Sequence, residues 1–337
     1  PLPLAQDDVH LDGHAIEVRL YAENPAREFL PDTGPVVLWR PADGDGIRID
    51  AGIVTGSVVS PHYDPMLAKI VAHGNSREQA RQRLVRAVAD TVLFGPATNA
   101  SFLSDILENA EFAAGKATTA FIGDTYPQGV AADRVDNAAL ALATALILQA
   151  DRDAAHRRAG LVSAGLLGWA SVTLPATPVR LFHDNEVHDT AARWHGETWA
   201  VSIGTDALAV EIVRQDGPVV ETRINGRTVD AVTRVTPDGI HLAIGASRFR
   251  FHRVEAGEQE DSGFGGRILA PMPGLVIKLN VSEGRAVDRG DVLAVLEAMK
   301  MQHQIVARVA GSVTTIAVSE GDQLGSGDMM FEIAEEE

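Results

Sequence analysis

GLVIKLNVSEGRAVDRGDVLAVLE, at residues 274–297, has a related second copy in GSVTTIAVSEGDQLGSGDMMFEIA, at residues 311–334. An offset of 37 residues, from 274 to 311, aligns the Ser-Glu-Gly triplets at 282–284 and 319–321. Glycines at these places suit turns that require a positive φ. The repeat therefore predicts two four-strand halves, related by a pseudo-twofold axis, that form a flattened barrel of short strands.

The joint between the two copies carries a lysine between two methionines, Met299-Lys300-Met301. The second copy ends instead in a run of glutamates, so the lysine is peculiar to the joint. A turn tip on a small rigid barrel is exposed yet firmly held, which suits a covalent carrier arm. The alternative interpretation is a solvated turn lysine flanked by methionines that fill gaps in the core.

Composition excludes several classes of function. The chain has 337 residues, enough for two or three domains, and a net charge of −17 with a pI of about 5.0. This charge argues against a general nucleic-acid binder. The absence of cysteine excludes disulfides and thiolate metal sites and fits a reducing compartment. The histidines show no metal-ligand spacing, so we predict no metal site in this chain.

The remainder of the chain divides into two folded regions and a linker. Residues 1–127 mix strand and helix patterns, such as the period-2 alternation of HAIEVRLYAE at 14–23. Residues 128–254 begin with the apolar run 138–150, which is too short for a membrane helix of roughly 20 residues and predicts a buried helix. Alternating strands separated by turn signals follow, and they predict an antiparallel barrel or sandwich. The Gly- and acid-rich residues 255–267 predict a mobile linker.

Two groups of motifs resemble one enzyme family. EAMKM at 297–301, with APMPG at 270–274, resembles the biotin carboxyl carrier domain of biotin-dependent carboxylases. Four further motifs of this chain resemble the C-terminal part of biotin carboxylase. They are GHAIEVRLYAENP, FLPDTG, HYDPMLAKIVAHG and GPATNASFL, which begin at residues 13, 29, 62 and 95. Together these motifs resemble the biotin-carrying α subunit of acyl-CoA carboxylases.

The resemblance implies a multidomain α+β fold. Its parts are a C-terminal biotin carboxylase subdomain at 1–127, a connecting domain of one helix and an antiparallel β-barrel at 128–254, the linker at 255–267, and a flattened biotinyl/lipoyl-like barrel at 268–337. In this family the connecting domain docks on a carboxyltransferase β subunit. The resemblance therefore implies a hetero-oligomer, and it implies neither a nucleic-acid nor a membrane partner.

The resemblance also implies roles for five residues. Lys300 is the amide attachment point of biotin, and Met299 and Met301 are the flanking residues that biotin protein ligase recognises. Arg19 stabilises negative charge on the biotin ureido oxygen, a task for which a guanidinium suits because it stays charged and presents a rigid donor fork. Asp64 orients Arg19. Without the family pattern, Arg19 is a surface strand arginine and Asp64 a turn acid before a proline.

The implied activity is ATP- and bicarbonate-dependent carboxylation of biotin, followed by carboxyl transfer to an acyl-CoA at the β subunit. ATP, Mg²⁺ and bicarbonate belong to the complete subunit. This chain lacks counterparts of the nucleotide lysine, the Mg²⁺-binding glutamates and the bicarbonate site, so we expect it to be inactive alone. The short barrel region favours 3-methylcrotonyl-CoA and a place in leucine degradation. FIGDTYPQG at 121–129 favours propionyl-CoA instead, and geranyl-CoA stays open.

Two other classes of function stay open. A lipoyl-type carrier fused to an interaction barrel would share the repeat, but lipoyl domains usually place an Asp where this chain has Met299. A carrier of a biotin decarboxylase or transcarboxylase is disfavoured, because such a carrier does not need the carboxylase-like region 1–127. The family resemblance is compatible with a bacterial cytoplasm or with the mitochondrial matrix.

Overall fold

The computed structural model describes residues 3–159, 175–184, 186–254, 267–298, 301–307, 309–325 and 327–335. Contacts divide the chain into two compact units, one of residues 1–132 with 259–337 and one of residues 133–258. No helix in the described ranges is long and apolar enough to cross a membrane.

The first region combines short strands with four helices in its described part. The strands are His14–Tyr21 (β1), Glu23–Asn24 (β2), Leu30–Pro31 (β3), Gly34–Pro35 (β4), Leu38–Arg40 (β5), Ile47–Ala51 (β6), Val58–Val59 (β7), Met66–Gly74 (β8) and Val92–Phe94 (β9). The helices are Arg77–Asp90 (α1), Ala100–Glu108 (α2), Ala110–Ala113 (α3) and Phe121–Thr125 (α4).

A three-stranded antiparallel sheet of order β1-β8-β6 organises this region. Strand β1 alternates as its sequence predicts: Ile16 and Leu20 are buried, whereas Glu17 and Arg19 are exposed. The buried face packs against α1 and α2 in one hydrophobic core. The opposite face of the sheet carries Glu17 and Arg19 of β1 and is called the charged face.

Helix α1 begins after the N-cap residue Ser76. The Oγ of Ser76 accepts a hydrogen bond from the backbone N–H of Gln79 at 3.2 Å. The Oε1 of Gln79 accepts from the backbone N–H of Asn75 at 2.6 Å, one residue before the N-cap. Both bonds satisfy backbone donors that have no partner inside the helix.

The connecting region is a closed antiparallel barrel with one long helix, Asn137–Ala159 (α5). Residues 139–148 of α5 are buried on all sides and share a core with the inward side chains of the barrel, as their lack of a polar face predicts. The strands are Thr177–His183 (β10), Glu186–His195 (β11), Thr198–Ile203 (β12), Asp206–Asp216 (β13), Val219–Ile224 (β14), Arg227–Thr236 (β15), Gly239–Ile244 (β16) and Ser247–Val254 (β17).

Tight turns connect successive strands of the barrel. Asn225 and Gly226 connect the paired residues Ile224 and Arg227, and their φ angles are 49° and 79°. Positive φ at both central residues is the requirement of the hairpin turn that Asn-Gly favours, because its twist matches that of the strands. Strand β10 pairs with both β11 and β17, which closes the barrel. The structure thus has a barrel, one of the two architectures that the strand spacing predicts.

The C-terminal region is a flattened barrel of two four-stranded sheets. The strands are Arg267–Leu269 (β18), Gly274–Leu279 (β19), Ala286–Val287 (β20), Val292–Ala298 (β21), Met301–Val306 (β22), Gly311–Ile316 (β23), Gln323–Leu324 (β24) and Met329–Glu335 (β25). The sheet orders are β18-β25-β23-β20 and β22-β21-β19-β24, and a shift of 37 residues converts one into the other.

Hydrogen bonds confirm the internal repeat. The N–H of Gly284 donates to the carbonyl of Val313 at 2.8 Å, and the N–H of Gly321 donates to the carbonyl of Val276 at the same distance. Each bond is the image of the other under the 37-residue shift, and each crosses from one half to the other. The two halves are therefore joined by equivalent bonds on either side.

Candidate functional site

The joint of the repeat is the hairpin between β21 and β22. Its pairing runs from Val292 opposite Val306 to Ala298 opposite Met301. Met299 and Lys300 stand between the last paired residues in the sequence, and both lie outside the described residues. Of Met301 only the backbone is described. The roles of these three residues stay predictions. The described pairing shows only that they fall at the end of the β21–β22 ladder in the sequence.

The strands that carry this hairpin are firmly anchored. Leu293, Leu296 and Ile305 are buried in the core of the flattened barrel. Lys278 is the other lysine of residues 268–337, and it lies within β19, between β21 and β24 in the sheet. An amide to a carboxylic-acid cofactor requires a primary amine, and Lys300 is the lysine that falls in sequence between the paired residues Ala298 and Met301. The residues present therefore fit a covalently attached carboxylic acid such as biotin.

Arg19 lies on the charged face of the sheet of the first region. Its side chain is 56% exposed, and its Nε lies 3.4 Å from the Oε1 of Glu17. Hydrogen bonding with the side chain of Tyr21, and then with Glu17, raises the pKa of the Arg19 guanidinium. Arg19 is thus a permanently charged donor, oriented by neighbours on its own strand and open to solvent.

Asn99 fixes the backbone of β1 at Arg19, which the sequence motifs did not reveal. Its Nδ2 donates to the carbonyl of Arg19 at 3.3 Å, and its Oδ1 accepts from the N–H of Tyr21 at 2.9 Å. The N–H of Asn99 also donates to the carbonyl of Tyr21 at 3.2 Å. Because β1 is an edge strand, this buried side chain takes the place of a neighbouring strand. The available signal was the position of Asn99 in GPATNASFL, just before α2.

The hydrogen bond described for Asp64 is to a backbone group of its own turn. Its Oδ1 accepts a hydrogen bond from the backbone N–H of Met66 at 2.8 Å and so shapes the turn before β8. Burial, and then the charge of Asp64, raises the pKa of Glu23. Among the described residues no hydrogen bond or ion pair joins Asp64 to Arg19. The orienting role of Asp64 stays a prediction, and Glu17 and Asn99 hold Arg19 in the described structure.

No group of three or more His, Asp or Glu side chains that could hold a metal ion occurs within the described ranges.

Two family models match the chain. Residues 17–124 match the model described as biotin carboxylase C-terminal domain. Residues 266–333 match the model described as biotin-requiring enzyme. The first range includes Arg19, Asp64 and Asn99, and the second includes Lys300.

Curated relatives match almost the entire chain. The α chain of propionyl-CoA carboxylase from Mus musculus is 29% identical over 99% of this chain and 48% of its own length. Subunit α of methylcrotonoyl-CoA carboxylase from Arabidopsis thaliana is 30% identical over 99% of this chain and 51% of its own. The α chain of propionyl-CoA carboxylase from Homo sapiens is 30% identical over 99% of this chain and 48% of its own length. The chain therefore spans about half the length of the curated relatives it matches.

Solved structures match in part. The biotin carboxylase domain of a thermophilic 2-oxoglutarate carboxylase, bound to bicarbonate, is 29% identical over 37% of this chain and 28% of its own, with a TM-score of 0.36. The biotin carboxylase subunit of pyruvate carboxylase is 33% identical over 38% of this chain and 28% of its own, also with a TM-score of 0.36.

Proposed function

Because this chain is homologous to the α subunits of propionyl-CoA and methylcrotonoyl-CoA carboxylases, we propose that it is the carboxylase and carrier part of such a subunit. The observation that carries the proposal is the presence, in one chain, of a biotin carboxylase C-terminal domain and a biotin-requiring-enzyme domain. A pure carrier would not need the first domain. The helix-and-barrel region between them then has the place of a connecting domain.

The carrier function is assigned to Lys300. Its ε-amino group would form an amide with biotin, with Met299 and Met301 presented to biotin protein ligase on either side. Bound biotin supplies a ureido nitrogen that can carry a carboxyl group. The buried strand residues of β21 and β22 hold the base of the hairpin, while the lysine stem adds reach.

Mass and blotting of the whole chain test this assignment. After coexpression with a biotin ligase, we expect intact mass to show the increment of one biotin amide and not that of lipoate. Lys300→Arg should abolish the streptavidin signal, because arginine keeps the charge but cannot form the amide. Lys278→Arg is the matched control in the same sheet and should keep the signal. Equal signal in the chain and in Lys300→Arg would refute the assignment.

The carboxylation function is assigned to the charged sheet face. Arg19 would donate from its guanidinium to the ureido oxygen as negative charge develops there, and its position is set by Glu17, Tyr21 and Asn99. ATP, Mg²⁺ and bicarbonate would be bound by the complete subunit. Since this chain spans about half of its relatives, we expect it to carry out no carboxylation by itself.

The partner and substrate follow from the relatives. A carboxyltransferase β subunit would bind the connecting barrel and supply the acyl-CoA site. We place 3-methylcrotonyl-CoA first because the short barrel region favours it. Propionyl-CoA and geranyl-CoA stay alternatives, since relatives of the methylcrotonoyl and propionyl types match this chain equally well. Assay of the assembled enzyme with these three acyl-CoAs distinguishes them. The relatives are mitochondrial, and the matrix or a bacterial cytoplasm is the proposed location.

A further inference from the structure

Arg19 has a cationic neighbour on the same sheet face. In the register of the sheet, Arg19 of β1 lies directly opposite Lys69 of β8, and Lys69 lies opposite Asp50 of β6. The adjacent row brings Glu17 of β1 and Arg48 of β6 to the two sides of Val71. These two rows thus hold three cations and two carboxylates, in a chain whose net charge is −17.

The two carboxylates are already engaged by the two arginines. Glu17 accepts from the Nε of Arg19. Both oxygens of Asp50 accept from Arg48, at 3.0 Å from Nε and 2.9 Å from Nη2. That hydrogen bonding is the main cause that lowers the pKa of Asp50, and the charge of Lys69 adds a smaller effect. Lys69 itself makes no ion pair with any residue in the described part of the chain.

Lys69 lies directly opposite Arg19 on one side and opposite Asp50, which Arg48 engages, on the other. Like charges directly opposite each other on antiparallel strands destabilise the pairing. Lys69 is half-buried in β8 and its neighbours Ala68 and Ile70 are in the core, so the side chain cannot leave this face without a slip in register. An anion that binds between the two cations would remove this repulsion.

We propose that Lys69 is a second cation of the Arg19 site, whose ammonium donates a hydrogen bond to the same developing oxyanion that Arg19 contacts. The inference rests on the function proposed for Arg19 and extends it to a residue outside β1. The proposed contact is a hydrogen bond only, so no proton or electron is transferred. Two cations around one oxyanion stabilise it more than either alone, and neither needs to reorganise when the charge appears.

Steady-state kinetics of the complete α subunit, with free biotin as acceptor, test this proposal. We expect Lys69→Met, which keeps the apolar stem, to lower kcat about tenfold, the effect of one lost charged hydrogen bond. Lys69→Arg should recover most of that loss. Lys116→Met is the control, because it makes the same change at an exposed lysine of the first region that lies outside the sheet, and it should keep kcat.

The double variant separates a shared oxyanion from a structural effect. If both cations act on one oxyanion, their effects are coupled, and the loss in Arg19→Gln with Lys69→Met should differ from the product of the two single losses. Losses that multiply would show that the two cations act independently and would overturn a shared oxyanion. An equal loss in Lys116→Met, or a near wild-type kcat in Lys69→Met, would overturn the role of Lys69. Melting temperature checks folding, and Lys69→Gln replaces Lys69→Met if the methionine variant is misfolded. A near wild-type Arg19→Gln would instead identify the proposed role of Arg19 as the error.

Discussion

At the scale of single residues, Arg19 owes its geometry to groups distant in sequence. Its side chain is oriented by Glu17 and Tyr21, but its backbone is held by Asn99, 80 residues away. The alternation of β1 predicts from sequence that Arg19 is exposed, and the structure confirms this. The alternation of β1 does not predict the support from Asn99, because hydrogen bonding at the open edge of a strand depends on which residues pack against that edge.

The predicted consequence of losing Arg19 is a loss of transition-state stabilisation. In the complete subunit, Arg19→Gln should keep the fold and ATP binding but lower biotin carboxylation by about 10²–10³-fold, the order found for one oxyanion donor. Arg19→Lys should restore little, since a single ammonium cannot reproduce the donor fork. Biotin-dependent ATP cleavage measures the effect. Glutamine at this position with turnover close to wild type would return Arg19 to an ordinary surface residue.

At the scale of elements, β16 departs from the pattern of its neighbours. Residues 239–243 are all buried, although alternate residues of β16 point away from the barrel core. His241 lies between the core residues Ile240 and Leu242 along the strand, and it is only 7% exposed. Burial, with a further contribution from the charge of Arg250, lowers the pKa of His241 to about 4, and Asp238 opposes the shift. This outward histidine is therefore neutral at neutral pH.

The stability of the barrel should consequently depend on pH. The folded-state pKa of His241 lies below the ordinary value of 6.5, so the unfolded chain binds more protons between these two values. The free energy of unfolding is therefore largest above pH 6.5 and falls as the pH drops towards 4, by roughly 1–2 kcal/mol between pH 7 and pH 5 from this residue.

Urea unfolding of the barrel at pH 7 and pH 5 measures this dependence. His241→Gln cannot take up the proton, so its free energy of unfolding should fall less than that of the unmodified chain over this interval. His10→Gln, which replaces an exposed histidine outside the barrel, is the control and should follow the unmodified chain. Identical pH dependence in all three proteins would show that His241 does not titrate as the structure implies.

At the scale of the whole molecule, the regions differ in what they offer a partner. The sheet of the first region exposes a charged face, and the C-terminal region carries the lysine hairpin. The barrel between them in the sequence shares its hydrophobic core with α5. A binding role for the barrel stays a prediction, which rests on the resemblance to connecting domains.

A pull-down experiment tests which region binds the partner subunit. A fragment of residues 128–254, which contains α5 and all eight barrel strands, should co-purify with the cognate carboxyltransferase β subunit. The matched fragment of residues 1–127 should not. Capture of the β subunit by residues 1–127 alone would assign partner binding to the carboxylase-like region instead.

The sequence by itself determined the features that arise from local periodicity and from repetition. The 37-residue repeat predicted the symmetric C-terminal sheets, the apolar run predicted the buried helix α5, and the alternation of β1 predicted the exposed Arg19. Only the tertiary structure decided that Lys69 lies beside Arg19, that Asn99 supports the edge of β1, and that both faces of β16 are buried. The physical reason is that periodicity determines which face of an element a residue occupies, whereas register and edge contacts join segments distant in sequence.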